Sequence, residues 1–260
     1  MQTITFSQLG LLGRFGNQFF QYVFLRLMAD KWGWQYACPA WEGQKLFSLA
    51  DPPVSQPGQL IEDYSTQLSE SIIANFQIPR GTTSFTVDIA GYFQFHTSYY
   101  RPHREKIQQW FTIKFPPALP FASMDIIAIH LRRGDYCHST SGYAFVPPNE
   151  WYLRWLEGIW NTWEKPVLYI ATDDVTAAQD FRKYDPITTS DFEWDFYAMT
   201  QARALAISNS TFSFAAAMLN TRASGFFRPV IDRYPVGGAL QSFDPWDADP
   251  LLHRDRPEAI

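Results

Sequence analysis

The sequence predicts an α/β protein built in two lobes, and three observations carry that prediction. Strand-like and helix-like segments alternate at the N-terminus and again beyond residue 124. Residues 125–131 form a nearly continuous apolar run, as a central strand buried on both faces requires. Between these stretches, residues 114–120 hold Pro116, Pro117 and Pro120, which stiffen the chain and suppress helix and sheet. A chain of 260 residues can bury two cores of roughly 110 to 140 residues each. The lobes read as residues 1–118 and 121–260, the second ending in an irregular tail.

In the first lobe a strand is expected over residues 3–8, followed by a turn through Gly10, Gly13 and Gly16. A helix over 17–32 follows, because Phe19, Phe20, Val23, Phe24, Leu27 and Met28 recur at helical spacing and Gly33 suits the position after a helix end. A short strand over 34–37 completes a β-loop-α-β unit. Residues 39–84 resist assignment, since Pro52, Pro53, Pro57 and Gly58 break every period. A strand over 85–89, then Gly91-Tyr92-Phe93-Gln94, and a helix opening near Tyr99 with Pro102 in its first turn close the lobe.

In the second lobe the strand 125–131 runs into Arg132-Arg133-Gly134-Asp135-Tyr136. A helix over 148–160, a strand over 167–171 ending in Thr172-Asp173-Asp174, and a helix over 175–183 follow. Next come a helix over 196–202, a strand over 205–207, Ser208-Asn209-Ser210-Thr211, an apolar helix over 212–220 and a strand over 225–228.

Composition narrows the function. Lys plus Arg total 21 against 26 Asp plus Glu, a net charge of −5 that argues against nucleic acid or anionic lipid as a partner. No stretch approaches the roughly 20 apolar residues of a membrane span and no secretory leader is evident, so the expected setting is cytoplasmic. Membrane association is expected to be peripheral at most. Cys38 and Cys137 are too few and too far apart for a disulfide framework or a metal cluster, and both read as free thiols.

If the second-lobe strands are parallel, three of their carboxyl ends bring polar residues to one crevice. Arg132 and Arg133 offer planar, permanently charged forks suited to phosphate, and Gly134 lets a ligand approach the backbone. Ser208, Asn209, Ser210, Thr211, Phe212 and Ser213 open a helix whose unpaired N–H groups and dipole favour an anion. His130 lies on the same strand face as Arg132. Plainer readings exist: His130 as a satisfied core residue, the serine run as a simple helix cap, and Asp135 as a brace for an arginine. No phosphate-loop or dinucleotide glycine fingerprint is present, which disfavours a kinase or a dehydrogenase.

Four segments, in order, carry a family resemblance. His130-Leu-Arg-Arg-Gly-Asp-Tyr136 resembles the H-x-R-R-G-D-Y signature of the family 11 α-1,2-fucosyltransferases. Gly13-Arg14-Phe15-Gly16-Asn17-Gln18, with Phe19 to Tyr22, is similar to their N-terminal G-x-x-G-N-Q motif, and Gly91 to Gln94 and Ile207 to Ser213 match two further motifs. The glycine loop is also similar to that of protein O-fucosyltransferases, and Ala171-Thr172-Asp173-Asp174 to the core α-1,6 enzymes.

This resemblance implies a GT-B-like fold, two Rossmann-like lobes facing across a cleft, with GDP-fucose on residues 121–260 and the acceptor on the side of residues 1–118. It implies metal-independent, inverting transfer of L-fucose from GDP-β-L-fucose, by default to O2 of a terminal β-galactoside in an oligosaccharide or polysaccharide. No cofactor is expected. Arg132 would stabilise the departing β-phosphate, with Arg133 assisting or structural, and Asp173 or Asp174 would accept from the guanine edge. Arg14, Gly16 and His130 would also touch the donor. Asn17 would lie by the acceptor hydroxyl; since an amide is a poor base, it orients rather than deprotonates, or the departing phosphate takes the proton. His96, His138 and Glu150 are the other candidate bases.

The pattern departs from the family at Arg14-Phe15, where glycine and leucine are common, and at Phe214-Ala215, where paired tryptophans often stand. A fucosyltransferase of another linkage is therefore one alternative. Aromatic residues at 17% supply another, a carbohydrate-binding protein without turnover, with Trp151, Tyr143 or Trp194 lining a groove.

Overall fold

The computed structural model describes residues 2–56, 58–64, 84–114, 124–141, 144–189, 191–232 and 237–255. Its contacts divide the chain into two units, Met1–Phe115 and Pro116–Ile260, a few residues short of the expected 118 and 121. Beyond Lys114, the expected proline linker lies outside the described residues.

Unit 1 holds a parallel sheet of β1 (Gln2–Thr5), β2 (Gln35–Ala37), β3 (Gln59–Asp63) and β4 (Phe85–Gly91), ordered β2-β1-β4-β3. Strand order reverses between β1 and β4, so their carboxyl ends flank a crevice of the kind in which α/β sheets bind ligands. The first strand is shorter than predicted because Ser7 leaves the ladder: its backbone N–H donates to the Asp88 carboxylate at 2.8 Å. Helix α1 (Phe15–Trp32) begins two residues early, and Gly33 ends it at φ 65°, the left-handed conformation that glycine adopts without penalty. Phe19, Phe20, Val23, Phe24 and Leu27 of α1 are buried, making it the core helix of the unit. The stretch that resisted assignment contains a short helix, α2 (Gly43–Leu46), and β3, an edge strand whose polar and exposed positions hid it. The helix expected near Tyr99 starts later: two 3₁₀ turns, Thr97–Tyr99 and Arg101–His103, precede α3 (Arg104–Trp110).

Unit 2 is organised around β5 (Asp125–Leu131), which is flanked by α4 (Asn149–Trp160) and β6 (Pro166–Thr172). A 3₁₀ helix, Val175–Tyr184, leads to β7 (Ile187–Thr189), then α5 (Phe192–Gln201), β8 (Ala204–Ala206) and α6 (Thr211–Leu219). Strands β9 (Gly225–Asp232) and β10 (Gly237–Ser242) follow. The sheet order is β10-β9-β8-β5-β6-β7, with only β10 antiparallel to its neighbour. Counted from β5 this is 3-2-1-4-5-6, the order of the dinucleotide-binding fold, and its reversal lies between β5 and β8. Ile127, Ile129 and Leu131 of β5 pack with Tyr152 and Leu156 of α4 and Leu168 and Ile170 of β6.

Of the tail predicted as irregular, residues 237–242 form β10 and Leu252–Asp255 a 3₁₀ turn, while residues 243–251 carry no helix or strand. The strand expected over 225–228 runs on to Asp232, past Pro229, and β8 pairs with β9 only as far as Phe227. Beyond that point β9 has one neighbour, so the missing N–H of Pro229 faces no ladder. Trp246 and Leu252 are then buried against the unit.

Candidate active site

Register sets the unit 2 edge. Leu131 of β5 is level with Thr172 of β6, and Ile129 with Ala206 of β8, so Arg132, Asp173 and Ser208 leave their strands side by side. Arg132 keeps 14% of its side-chain surface exposed, and its guanidinium donates to both Asp173 and Asp135 while lying over the Tyr136 ring at 5.1 Å. Asp135 thus braces Arg132. Of the five N–H groups of the fork, those bonds engage two.

Asp173 is an organiser of this loop. One oxygen accepts from Arg132, and the other accepts from the backbone N–H of Arg133 at 2.7 Å. A β-carbon on Gly134 would sit 2.6 Å from the same carboxylate, so this glycine makes room for Asp173 rather than for a ligand. Asp174 caps the following 3₁₀ helix, accepting from the Thr176 N–H at 3.0 Å, and those hydrogen bonds hold its carboxyl below the usual range. Arg133 is buried and turned inward, donating to Asn149 at the start of α4 and to the Arg132 carbonyl at 3.0 Å. Asn149 in turn donates to the Ala177 carbonyl at 3.1 Å and to Asp180 at 2.7 Å.

His130 is 5% exposed, and its Nδ1 shares a 2.8 Å hydrogen bond with the Ser208 hydroxyl, joining β5 to β8 across the strand reversal. Burial, reinforced by Arg132 and Arg133, pushes its pKa down to about 3, so the imidazole stays neutral. Phe212 packs on its edge at 5.5 Å. Most of the serine motif's side chains serve the loop itself. Ser210 caps α6 by accepting from the Phe212 N–H at 3.3 Å, and Ser213 donates to the Ser210 carbonyl at 3.2 Å. Asn209 is buried and accepts from the Leu252 N–H of the tail at 3.3 Å. Thr211 opens α6, so the positive end of that helix dipole lies at this edge.

Unit 1 has its own edge. Gly13 (φ 81°) delivers Arg14, extended and exposed, to the start of α1, where Gly16 is buried in the first turn. The Gln94 amide donates to the Asn17 side-chain carbonyl at 2.6 Å, bringing two of the four motifs together. Gln18 and Gln21 hold the glycine loop by donating to the carbonyls of Gly13 and Leu12, each at 3.0 Å. Of the other candidate bases, His96 is engaged with Ser98 at 2.8 Å, and His138 and Glu150 are exposed.

A family model for glycosyl transferase family 11 matches residues 6–227, a span containing all four motifs. The chain belongs to glycosyl transferase family 11. No curated protein matches it. Among solved structures this family 11 chain is similar to the NodZ alpha-1,6-fucosyltransferase soaked with GDP-fucose, at 13% identity and a TM-score of 0.54 over 94% of this chain and 98% of that one. It is also similar to POFUT1 in complex with GDP (13%, TM-score 0.56, 86% and 98%). A mutant of Arabidopsis thaliana FUT1 in complex with GDP matches at 10% identity and a TM-score of 0.54, over 87% and 69%. These likenesses show the fold: α/β, GT-B-like, with two Rossmann-like lobes.

The structure also brings forward residues that the sequence reading passed over. Asp88 is buried on β4 and accepts from the Thr5 hydroxyl at 2.8 Å as well as from Ser7, tying β1 to β4. Asp195, in the first turn of α5, is a buried acid on the carboxyl edge of the unit 2 sheet. It accepts from the Tyr169 hydroxyl at 2.8 Å and the Thr189 hydroxyl at 3.0 Å, and burial drives its pKa up to about 7. Asn149 completes the set. Of the aromatics proposed as a groove, Trp151 packs over Gly238 and Phe145, Trp194 is half-buried, and Tyr143 lies outside the described residues. Among the described residues, no group of three or more His, Cys, Asp or Glu could hold a metal ion, and no helix is long and apolar enough to cross a membrane. Cys38 and Cys137 are free.

Proposed function

We propose that this chain transfers L-fucose, with inversion, from GDP-β-L-fucose to a glycan hydroxyl, O2 of a terminal β-galactoside being the acceptor position. The observation that carries the reading is the placement of Arg132 and the start of α6 on either side of the strand reversal in a 3-2-1-4-5-6 sheet. That arrangement pairs a fork of N–H donors with a helix N-terminus, both suited to a diphosphate. Unit 2 is accordingly the donor lobe and unit 1 the acceptor-side lobe.

In the reaction the acceptor oxygen attacks C1 as the C1–O bond to GDP breaks, and negative charge grows on the β-phosphate. Arg132, oriented beforehand by Asp135, Asp173 and Tyr136, stabilises that charge where it develops. Arg133 acts through the protein rather than on the donor, since its fork is directed to Asn149. With both oxygens of Asp173 engaged, the guanine edge falls to Asp174, and Asp195 is the other carboxylate of that sheet edge. Asn17, held by Gln94, orients the acceptor hydroxyl, and the departing phosphate takes its proton.

Transfer needs no metal in this reading, because Arg132 and the helix dipole offset the diphosphate charge; retained activity in EDTA is expected, and loss that Mn²⁺ restores would contradict it. The setting proposed is cytoplasmic, with galactose-terminated oligosaccharides or polysaccharides as acceptors. The test of the whole is incubation with GDP-fucose and a panel of β-galactosides, followed by linkage analysis of the product. An α-1,2-fucoside is expected. A fucoside at another position would move the chain to another linkage, and glycan binding with no GDP-fucose turnover would make it a lectin.

A further inference from the structure

Tyr64 and Tyr92 stand apart from the buried aromatics of unit 1. They are 48% and 38% exposed, and each follows a strand at the carboxyl edge of the sheet, Tyr64 after β3 and Tyr92 after β4. Their rings meet edge to face, with centroids 6.0 Å apart and planes at 70°. An edge-to-face pair of this kind leaves ring faces open to a further partner.

The backbone around the pair is constrained to this outcome. Asp63 and Gly91 are register partners, and a β-carbon on Gly91 would lie 2.0 Å from the Asp63 carbonyl oxygen, so only glycine allows the two strand ends to approach this closely. Two residues later Phe93 adopts φ 50°, a conformation costly for a side chain of its size. The turn sends Phe93 inward, where it stacks on Phe24 at 4.1 Å, and leaves Tyr92 outside. The next residue, Gln94, holds Asn17. Glu62, exposed on β3, places its negative charge near Tyr64. Two exposed aromatic rings and a carboxylate therefore share one edge, two residues in sequence from Gln94. Aromatic planes accept the C–H face of a pyranose, and carboxylates and amides accept and donate to its hydroxyls.

We propose that Tyr64 and Tyr92 form a stacking platform for a pyranose ring of the acceptor glycan. The inference rests on the glycosyl-transfer reading above and adds to it the place where the acceptor is held.

The test replaces each tyrosine by alanine and by phenylalanine, singly and together. Steady-state kinetics use GDP-fucose and the best acceptor that the unaltered chain finds among a panel of β-galactosides and β-glucosides. Each alanine variant should raise the acceptor KM by about 3- to 10-fold, with KM for GDP-fucose and acceptor-free GDP-fucose hydrolysis unchanged. The phenylalanine variants should stay within about 2-fold of the unaltered chain, since the ring rather than the hydroxyl does the stacking. Circular dichroism and melting confirm that each variant folds, as surface changes of this kind allow. An unchanged acceptor KM in the double alanine variant overturns the platform, as does an equal loss in the phenylalanine variants. A chain that binds GDP but neither binds nor fucosylates any pyranoside of the panel also overturns it. Failure to bind GDP at all sinks the donor reading instead, so the two failures are distinct.

Discussion

Replacing Asp195 by asparagine should make the protein more stable at alkaline pH, because the wild-type carboxyl is held in a site that disfavours its charge. The side chain is 6% exposed, and burial raises its pKa from 3.8 to about 7 despite the two hydrogen bonds from Tyr169 and Thr189 that favour the anion. A carboxyl whose folded pKa exceeds its unfolded one binds its proton more tightly when folded. Its contribution to stability is therefore complete below about pH 4 and is lost as pH rises through about 7. At 1.36 kcal/mol per pH unit, that interval corresponds to at most ~4 kcal/mol. Asparagine keeps an oxygen to accept from both hydroxyls and has no charge to desolvate. Urea unfolding of both proteins at pH 4.5 and pH 8 is the assay. The variant should gain about 2 to 4 kcal/mol relative to wild type at pH 8, with less than about 1 kcal/mol between them at pH 4.5. Equal stability at pH 8, or a difference that does not vary with pH, would refute the reasoning.

Further predictions concern the two edges. Asn149→Ala removes the acceptor for the buried Arg133 fork and the bonds to Ala177 and Asp180, and should cost about 2 to 3 kcal/mol by urea unfolding. It should also lower kcat, since Arg133 anchors the loop that carries Arg132. Gly13→Ala places a β-carbon 2.2 Å from the Asn17 amide nitrogen at φ 81°. It should reduce transfer while GDP affinity, measured by calorimetry, stays unchanged. Asp173→Asn weakens the brace on Arg132 and should lower kcat in single-turnover assays, while Asp174→Asn should act mainly on GDP affinity.

Much of this was legible in the chain itself. The apolar run 125–131 became the central strand because only a strand buried on both faces can be apolar at every position. The helix after the glycine loop was equally plain, with Gly33 ending it. The four motifs landed on two sheet edges, and Gln94 with Asn17 came together as neighbours. What escaped depended on contacts distant in sequence. Asp88 reads as one polar residue in an apolar strand until Thr5 and Ser7 arrive beside it. Strand β7 has only three residues, too few for a period, and β9 was found over 225–228 but runs on to Asp232, past Pro229, where its ladder is one-sided. Asp173 or Asp174 read as the guanine acceptor; the two oxygens of Asp173 serve Arg132 and Arg133, a role set by the packing of two strand ends. The serine run shows its plainer reading: its side chains cap and tether, and its backbone opens α6.

The central claim is that Arg132 stabilises charge on a departing diphosphate. It is tested most directly by the single-turnover rate of fucose transfer from GDP-fucose in Arg132→Ala. Loss of at least about 100-fold, with a smaller effect on GDP affinity, is the predicted result. Near-normal turnover in that variant would contradict the account.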